Sequence, residues 1–336
     1  MPKKENIEKD NQLINLIKQN NNYSSKVKFS KYFHICQKDT YFIHDKYICT
    51  YIIQQNISSN IFFALKNNIS GEGYIFDKNN NKYIKGHSQM ISKLIIDYKN
   101  NYLISCSYDK LIIIWRLSKE KNNLEILNEL KGHKGRIYDM DLISNKDELL
   151  SCGMDRNILL WNIKEFSLIK KIYLNSSIHN LIVKYYLESD IKNEKYPNEW
   201  LFVYSKNQTV NCIDFNTDKI IESFNIHCYD GSLLLVDNEK FIYQKKKSYD
   251  IVIYNFKIEE IAGIFIGCKH EIQIILNRIK DNKIISFDIG NNIKIWNYTK
   301  KFCELTIKID FVLIYLYITR NGKLLCGSIN KIYIYE

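Results

Sequence analysis

Short apolar runs separated by polar turns recur along most of the chain. Between residues 91 and 130 they fall at residues 91–96, 102–106, 111–115 and 124–130. Runs of this length, rich in branched and aromatic side chains, are typical of β-strands. Four such strands in succession predict one small antiparallel sheet.

Two of these units match almost position for position. Gly86-His87 is followed by Trp115, and Gly132-His133 by Trp161, with 29 residues from glycine to tryptophan in both copies. The segments LISCSYD (103–109) and LLSCGMD (149–155) lie between them at the same offset of 46 residues. These units are therefore internal repeats.

A third copy, around Trp296, is degenerate. Ser286 lies ten residues before this tryptophan, as Ser105 and Ser151 do before theirs. Cys268 and Gly290 take the positions of the histidine and the aspartate. We expect this unit to keep the packing of the others but to lack their polar network.

Two further periodicities extend the repeat along the chain. Seven positions mark the end of a third strand at intervals of 39 to 52 residues: Phe76, Trp115, Trp161, Ile213, Tyr254, Trp296 and Tyr335. Six histidines recur at intervals of 43 to 48 residues: His44, His87, His133, His179, His227 and His270. Together they predict seven units of four strands.

The order Gly-His, Ser, Asp, Trp resembles the WD40-repeat family, although Arg116 and Asn162 replace the aspartate that usually follows the tryptophan. The resemblance implies an all-β, seven-bladed β-propeller of four-stranded antiparallel blades over residues 25–336, after a flexible tail of residues 1–24. The last blade has three strands of its own. We expect an N-terminal strand within residues 26–37 to complete it and close the ring, which removes an open edge.

Histidine, serine and aspartate together are also the components of a hydrolase triad. Here they recur with a tryptophan at constant spacing, which a catalytic site does not need, and in the resembled family they form a hydrogen-bonded network. We interpret two sets of four residues as scaffold: His87, Ser105, Asp109, Trp115, His133, Ser151, Asp155 and Trp161.

No catalytic constellation, phosphate loop or dinucleotide fingerprint occurs in the sequence. The periodic histidines fall on different blades, too far apart to bind one ion. The sequence therefore predicts a protein that is not an enzyme and has no cofactor, metal site or small-molecule substrate.

The resemblance also implies a contact surface. The loops before each first strand and between each second and third strand share one rim, here called the upper rim, where family members commonly bind partners. The residues placed there are Met90, Ser92, Tyr108, Arg136, Tyr138, Met154, Glu271, Gln273 and Ile289. Tyr108, Arg136, Tyr138 and Met154 are preferred, because tyrosine and arginine are frequent interface anchors and methionine adapts to its partner.

The net charge of +11 introduces RNA or acidic partners as alternatives. Its one compact cluster is Lys245, Lys246 and Lys247, a possible basic contact that is also typical of a solvated loop. An insertion at residues 187–200 is either a second contact site or an elongated loop.

Nine dispersed cysteines indicate reduced thiols in the cytoplasm or nucleus. The longest apolar stretch, residues 311–318, is too short to cross a membrane, and the charged first ten residues do not resemble a signal peptide. The sequence thus predicts a non-catalytic scaffold that binds proteins or peptides within a multi-subunit assembly. The alternative is an RNA- or ribonucleoprotein-associated propeller that uses its basic surface.

Overall fold

The fold is built from β-strands, thirty of them in the part of the chain that this computed structural model describes. The described residues are 27–29, 33–35, 37–55, 60–117, 124–143, 146–185, 199–205, 209–214, 216–226, 233–235, 240–245, 248–278, 282–319 and 323–335. Within these ranges no helix is long and apolar enough to cross a bilayer.

The strands join in chain order into antiparallel sheets. The first three are β1 (Val27–Phe29) and β2 (Phe33–Ile35), which pair with each other, and β3 (Gln37–Phe42). Sheet one contains β4 (Tyr47–Gln54), β5 (Ile61–Asn67), β6 (Gly73–Asp77) and β7 (Lys82–His87). Sheet two contains β8 (Ile91–Asp97), β9 (Tyr102–Ser107), β10 (Leu111–Leu117) and β11 (Leu124–Lys131). Sheet three contains β12 (Ile137–Ile143), β13 (Glu148–Gly153), β14 (Asn157–Asn162) and β15 (Ser167–Tyr173).

The remaining sheets follow the same plan. Sheet four contains β16 (Ile178–Tyr185), β17 (Glu199–Ser205), β18 (Thr209–Asp214) and β19 (Ile220–Asn225). Sheet five contains β20 (Leu234–Leu235), β21 (Lys240–Gln244), β22 (Ile251–Asn255) and β23 (Glu260–Phe265). Sheet six contains β24 (Ile272–Arg278), β25 (Lys283–Asp288), β26 (Asn292–Asn297) and β27 (Phe302–Lys308). Sheet seven contains β28 (Leu313–Ile318), β29 (Leu324–Ser328), β30 (Lys331–Tyr335) and β3. The prediction of an all-β chain of antiparallel sheets is confirmed.

Burial within a sheet explains the sequence pattern of its strands. In sheet two the central strands β9 and β10 are almost wholly buried, and their sequences YLISCS and LIIIWRL are nearly continuous apolar runs. The fourth strand, β11, is largely exposed and reads LEILNELK. A strand covered on both faces needs apolar residues at every position, whereas an exposed edge strand does not.

The hydrophobic core lies between neighbouring sheets. Ile104 and Ile114 of sheet two pack in one cluster with Met140 and Trp161 of sheet three. Further clusters connect the other consecutive pairs, as well as sheet seven with sheet one. The first strands of neighbouring sheets also contact one another, including β4 with β8, β8 with β12 and β28 with β4. Each sheet therefore has hydrophobic contacts on both of its faces.

The strand that pairs with β30 differs from the prediction. It is β3, with Gln37 opposite Tyr335 and Phe42 opposite Lys331, and not a strand within residues 26–37. Residues 27–35 form the separate pair of β1 and β2. The reason is the short connection to β4: a fourth strand must end just before the next first strand, as β7 does before β8.

Candidate functional site

Sheets two and three each contain a buried chain of four hydrogen-bonded side chains. In sheet three, Trp161 Nε1 donates to Ser151 Oγ at 2.8 Å, and Ser151 Oγ lies 2.8 Å from His133 Nε2. His133 Nδ1 then contacts the Asp155 carboxylate at 2.9 Å. The same arrangement occurs in sheet two with Trp115, Ser105 and Asp109, and its histidine is His87 at the end of β7 in sheet one.

The donors and acceptors of this chain are matched when the histidine is neutral. A carboxylate only accepts, so Nδ1 of His133 carries the proton that it donates to Asp155. The indole N–H only donates, so the Ser151 oxygen accepts from it and donates its own proton to Nε2. Burial raises the pKa of Asp155, but the hydrogen bonds that its carboxylate accepts from His133 and from the backbone of Lys134 outweigh burial and hold the pKa well below its usual range.

In sheet three the arrangement joins strands β13 and β14 to the loop before β12 and the turn after β13, and its serine is not exposed. Both serines are fully buried, and His133 is 7% exposed. Asp155 also accepts the backbone N–H of Lys134 at 2.8 Å, which fixes the loop before β12 against the turn after β13. The network therefore positions the loops of the upper rim.

Sheet six departs from the expectation that its network is lost. Trp296 Nε1 still donates to Ser286 Oγ at 2.8 Å, and both residues are buried. The loss is confined to the histidine–aspartate half, because Cys268 and Gly290 stand where the other units have histidine and aspartate. The prediction was wrong for the serine and the tryptophan because the hydrogen bond between them requires neither histidine nor aspartate.

The upper rim brings the predicted residues together in pairs. Tyr108 N donates to the Met90 carbonyl at 3.0 Å, and Met154 N donates to the Arg136 carbonyl at 2.8 Å. In sheet six, Ile289 N donates to the Glu271 carbonyl at 2.9 Å. The residue after each second strand is thus bonded to the residue just before the first strand.

A cavity of about 400 Å³ opens at this rim. Its lining comes from sheets one, two and three: Thr50, Met90, Ile91, Ser92, Tyr108, Arg136 and Tyr138. Five of these seven are residues that the sequence places on the rim. A volume of this size lies at the lower end of the range for small-ligand sites.

An arginine and two tyrosines form one wall of the cavity. The Tyr108 and Tyr138 rings meet edge to face, with centroids 5.7 Å apart. The Arg136 guanidinium carbon lies 5.2 Å from the Tyr108 ring centroid, within the range of a cation–π contact. Burial raises the pKa of Tyr108, with a smaller contribution from Tyr138, so its hydroxyl stays protonated at neutral pH.

Two hydroxyl residues connect the sheets below this wall. Ser92 Oγ donates to the Ile137 carbonyl at 2.8 Å, and Thr50 Oγ1 donates to the Ile91 carbonyl at 2.9 Å. Both residues sit at β-bulges, which turn their side chains toward the next sheet. Thr50 was not predicted, since it stands one residue further from the periodic His44 than Ser92 stands from His87.

The other predicted contact residues are not part of the cavity. Met154 is 54% exposed beside Arg136, and Glu271 and Ile289 lie in sheet six. The side chains of Gln273, Lys246 and Lys247 lie outside the described residues, and so does most of the 187–200 insertion. Lys245 is exposed after β21.

The charges beneath the cavity are already paired. Lys93, next to Ser92, lies 2.7 Å from the Asp139 carboxylate. Burial lowers the pKa of Lys93, but Asp139, Tyr51 and Asp141 outweigh burial and hold the pKa above its ordinary value. In the described ranges no group of three or more metal-ligand side chains occurs.

Comparisons with known proteins agree with this architecture. The family model described as WD domain, G-beta repeat matches residues 78–116 and 124–162. The crystal structure of the WD40 beta propeller domain of Doa1 matches with a TM-score of 0.68 at 17% identity, over 89% of this chain and 96% of that chain. No curated protein sequence matches the chain. The chain carries WD40 repeats and has the fold of a WD40 β-propeller, which confirms the resemblance seen in its sequence.

The matched repeats are offset from the sheets. Residues 78–116 contain the fourth strand of sheet one and the first three strands of sheet two. Each sequence repeat therefore spans two sheets. Because 1693 solved chains share this fold, the fold alone does not select a partner, and the choice of site rests on the cavity.

Proposed function

We propose that the seven four-stranded sheets are the blades of one closed propeller. Three observations support closure: β3 pairs with β30, β28 contacts β4, and one hydrophobic cluster joins Leu325 and Ile332 of sheet seven to Ile52 and Phe63 of sheet one. Closure through β3, which precedes sheet one in the chain, leaves no open sheet face in the ring.

We further propose that this propeller is a non-catalytic scaffold for protein–protein interactions within a multi-subunit assembly. Propellers with WD40 repeats generally bind other proteins or peptides. The observation that carries the proposal is the upper-rim cavity, where Arg136, Tyr108 and Tyr138 are held in mutual contact. Aromatic and arginine side chains in a partly enclosed pocket are typical of interface hot spots.

The rigidity of the cavity strengthens this proposal. Ser92 and Thr50 connect three sheets through backbone carbonyls, and the Asp155 network fixes the loop that carries Arg136. A preorganised surface loses little entropy on binding. We place this role in the cytoplasm or nucleus, where thiols such as the buried Cys106 and Cys152 remain reduced.

Quantitative recovery of partners from native lysate tests the proposal. The Arg136→Ala/Tyr138→Ala protein should lose at least thirtyfold in affinity for its main partner, about 2 kcal/mol. The matched control is Arg116→Ala/Tyr173→Ala, which removes an exposed arginine and tyrosine outside the cavity. This control should retain every partner, provided that both proteins are first shown to be folded.

Substitution of all three lysines at positions 245–247 by glutamate tests the alternative that these lysines form the contact site. If these lysines only steer a partner, binding should fall at low salt and recover at physiological ionic strength. Full retention of partners by the cavity variant, with loss in the lysine variant at physiological salt, would move the site to the basic loop. Recovery that disappears after nuclease treatment would favour the RNA-associated alternative.

A further inference from the structure

We propose that the upper-rim cavity receives an anionic side chain of a partner segment, a carboxylate or a phosphate monoester, which pairs with Arg136. This inference rests on the proposed protein-binding function and specifies its chemistry. The geometry points to an extended segment whose charged group meets the guanidinium while an adjacent apolar side chain packs on Met90 and Tyr138.

Arg136 is held at the cavity by an aromatic ring. Its guanidinium carbon lies over the Tyr108 ring, 5.2 Å from the ring centroid, in a cation–π contact. This contact engages the charge of the guanidinium and none of its N–H donors, which remain available to a ligand. The contact also restricts the side chain before binding, so less entropy is lost when two parallel N–H···O bonds form to a carboxylate or phosphate.

The other charged groups near the cavity are paired, whereas Arg136 lacks a counter-ion. Lys93 is neutralised by Asp139, and the carboxylates of Asp109 and Asp155 are engaged by their histidines. Arg136 is exposed and has no carboxylate partner within the described parts of the chain. An exposed cation without a carboxylate partner at a cavity mouth favours an anionic ligand.

The rim around Arg136 carries further positive charge. Lys110, Lys134 and Arg156 are exposed in the turns and loop that flank Arg136. The two aspartates of the same turns direct their charge inward, toward His87 and His133. The rim of sheets two and three therefore presents net positive charge, which accelerates association with acidic segments.

Two of the hydroxyl groups that line the cavity do not compete for this role. The hydroxyl protons of Thr50 and Ser92 are donated to the carbonyls of Ile91 and Ile137. Neither hydroxyl can donate to an incoming anion without breaking its bond between sheets. Arg136 supplies the positive charge that recognises the anion, while Met90 and Ile91 contribute apolar lining.

Binding of soluble peptide pools tests the inference. Each of the four pools contains 11-residue peptides with randomised uncharged flanks. The central residue is fixed within a pool as glutamate, glutamine, phosphoserine or serine. The wild-type protein should bind at least one anionic pool tenfold or more tightly than its neutral counterpart. The two comparisons, glutamate with glutamine and phosphoserine with serine, distinguish a carboxylate from a phosphate.

Two variants test whether Arg136 causes that preference. Arg136→Gln should abolish the preference for anionic pools, whereas Arg116→Gln, which changes an exposed arginine of sheet two outside the cavity, should keep it. Equal binding of anionic and neutral pools, or no measurable binding of either, would overturn the inference, as would a preference that survives Arg136→Gln. The proposed function has its own test, the recovery of native partners. It is wrong if the Arg136→Ala/Tyr138→Ala protein keeps all of them.

Discussion

The buried serine of each repeat offers a comparison of stability within one molecule. In sheet three, Ser151 accepts from Trp161 and contacts His133, whereas in sheet six Ser286 has Trp296 as its hydrogen-bond partner. Both serines are almost completely buried. Substitution by alanine removes only a hydroxyl oxygen, which leaves a space too small for a water molecule.

The number of partners sets the expected cost. A buried polar group left without a partner costs about 1–3 kcal/mol. Ser286→Ala leaves the indole N–H unsatisfied and should cost about 1–3 kcal/mol. Ser151→Ala leaves both the indole N–H and His133 Nε2 unsatisfied and should cost roughly 2–6 kcal/mol. The expected difference of about 1–3 kcal/mol measures the contribution of the histidine.

Urea unfolding gives the total change in free energy, and native-state hydrogen exchange locates it. Protection should fall in β13 and β14 for Ser151→Ala and in β25 and β26 for Ser286→Ala. Ser105→Ala, in the intact network of sheet two, should match Ser151→Ala. If all three variants lose the same free energy of unfolding within about 0.5 kcal/mol, the hydrogen bond between serine and histidine adds nothing to stability and the reasoning is refuted.

Further predictions concern closure, loop position and pH. Deletion of residues 1–42, which removes β3, should lower the melting temperature by at least about 5 °C relative to deletion of residues 1–26; equal melting would contradict closure by β3. Gly153→Ala should destabilise the protein by about 1–3 kcal/mol, because the new Cβ overlaps the carbonyl oxygen of the residue before β12. Gly263→Ala, whose Cβ meets only a flexible lysine side chain, is its control in urea unfolding. Asp155 has a lower pKa in the folded protein than in the unfolded chain, so its stabilisation is complete above roughly pH 4 and declines as the pH falls toward the folded pKa. The difference in unfolding free energy between wild type and Asp155→Asn should therefore become smaller between about pH 4 and pH 2. A constant difference would contradict the lowered pKa of Asp155.

Sequence patterns predicted the sheets well where central strands are buried on both faces. Trp115, Trp161 and Trp296 each mark a third strand because the indole fills the space between two sheets, and glycine at position 132 leaves room for the ring of Trp161, 2.7 Å from where a Cβ would stand. Exposed fourth strands carry a weaker signal. The predicted position of the strand that pairs with β30 was wrong, although β3 is bounded on its C-terminal side by the periodic His44.

The site was predicted in part. Repeat offsets placed Tyr108, Arg136 and Tyr138 on one rim, and the cavity contains all three. Thr50 was missed because the spacing differs between sheets one and two. Ser92 stands five residues after His87, whereas Thr50, at its bulge, stands six after His44. The offset of five therefore points to the fully buried Cys49 instead. Contacts such as the cation–π contact between Arg136 and Tyr108 depend on side-chain direction, which the spacing of residues along the sequence does not determine.

The pairing of β3 with β30 imposes an order of events on biosynthesis. Phe42 and Lys331, which face each other in sheet seven, are separated by 289 residues along the chain. At a translation rate of roughly 5–20 residues per second, β3 leaves the ribosome about 15–60 seconds before its partner is made. During that interval sheets one to six can form in turn, while β3 waits without its pairing strand. The nascent chain is therefore most exposed to misassembly at β3, and a chaperone that shields this strand would act before sheet seven is complete.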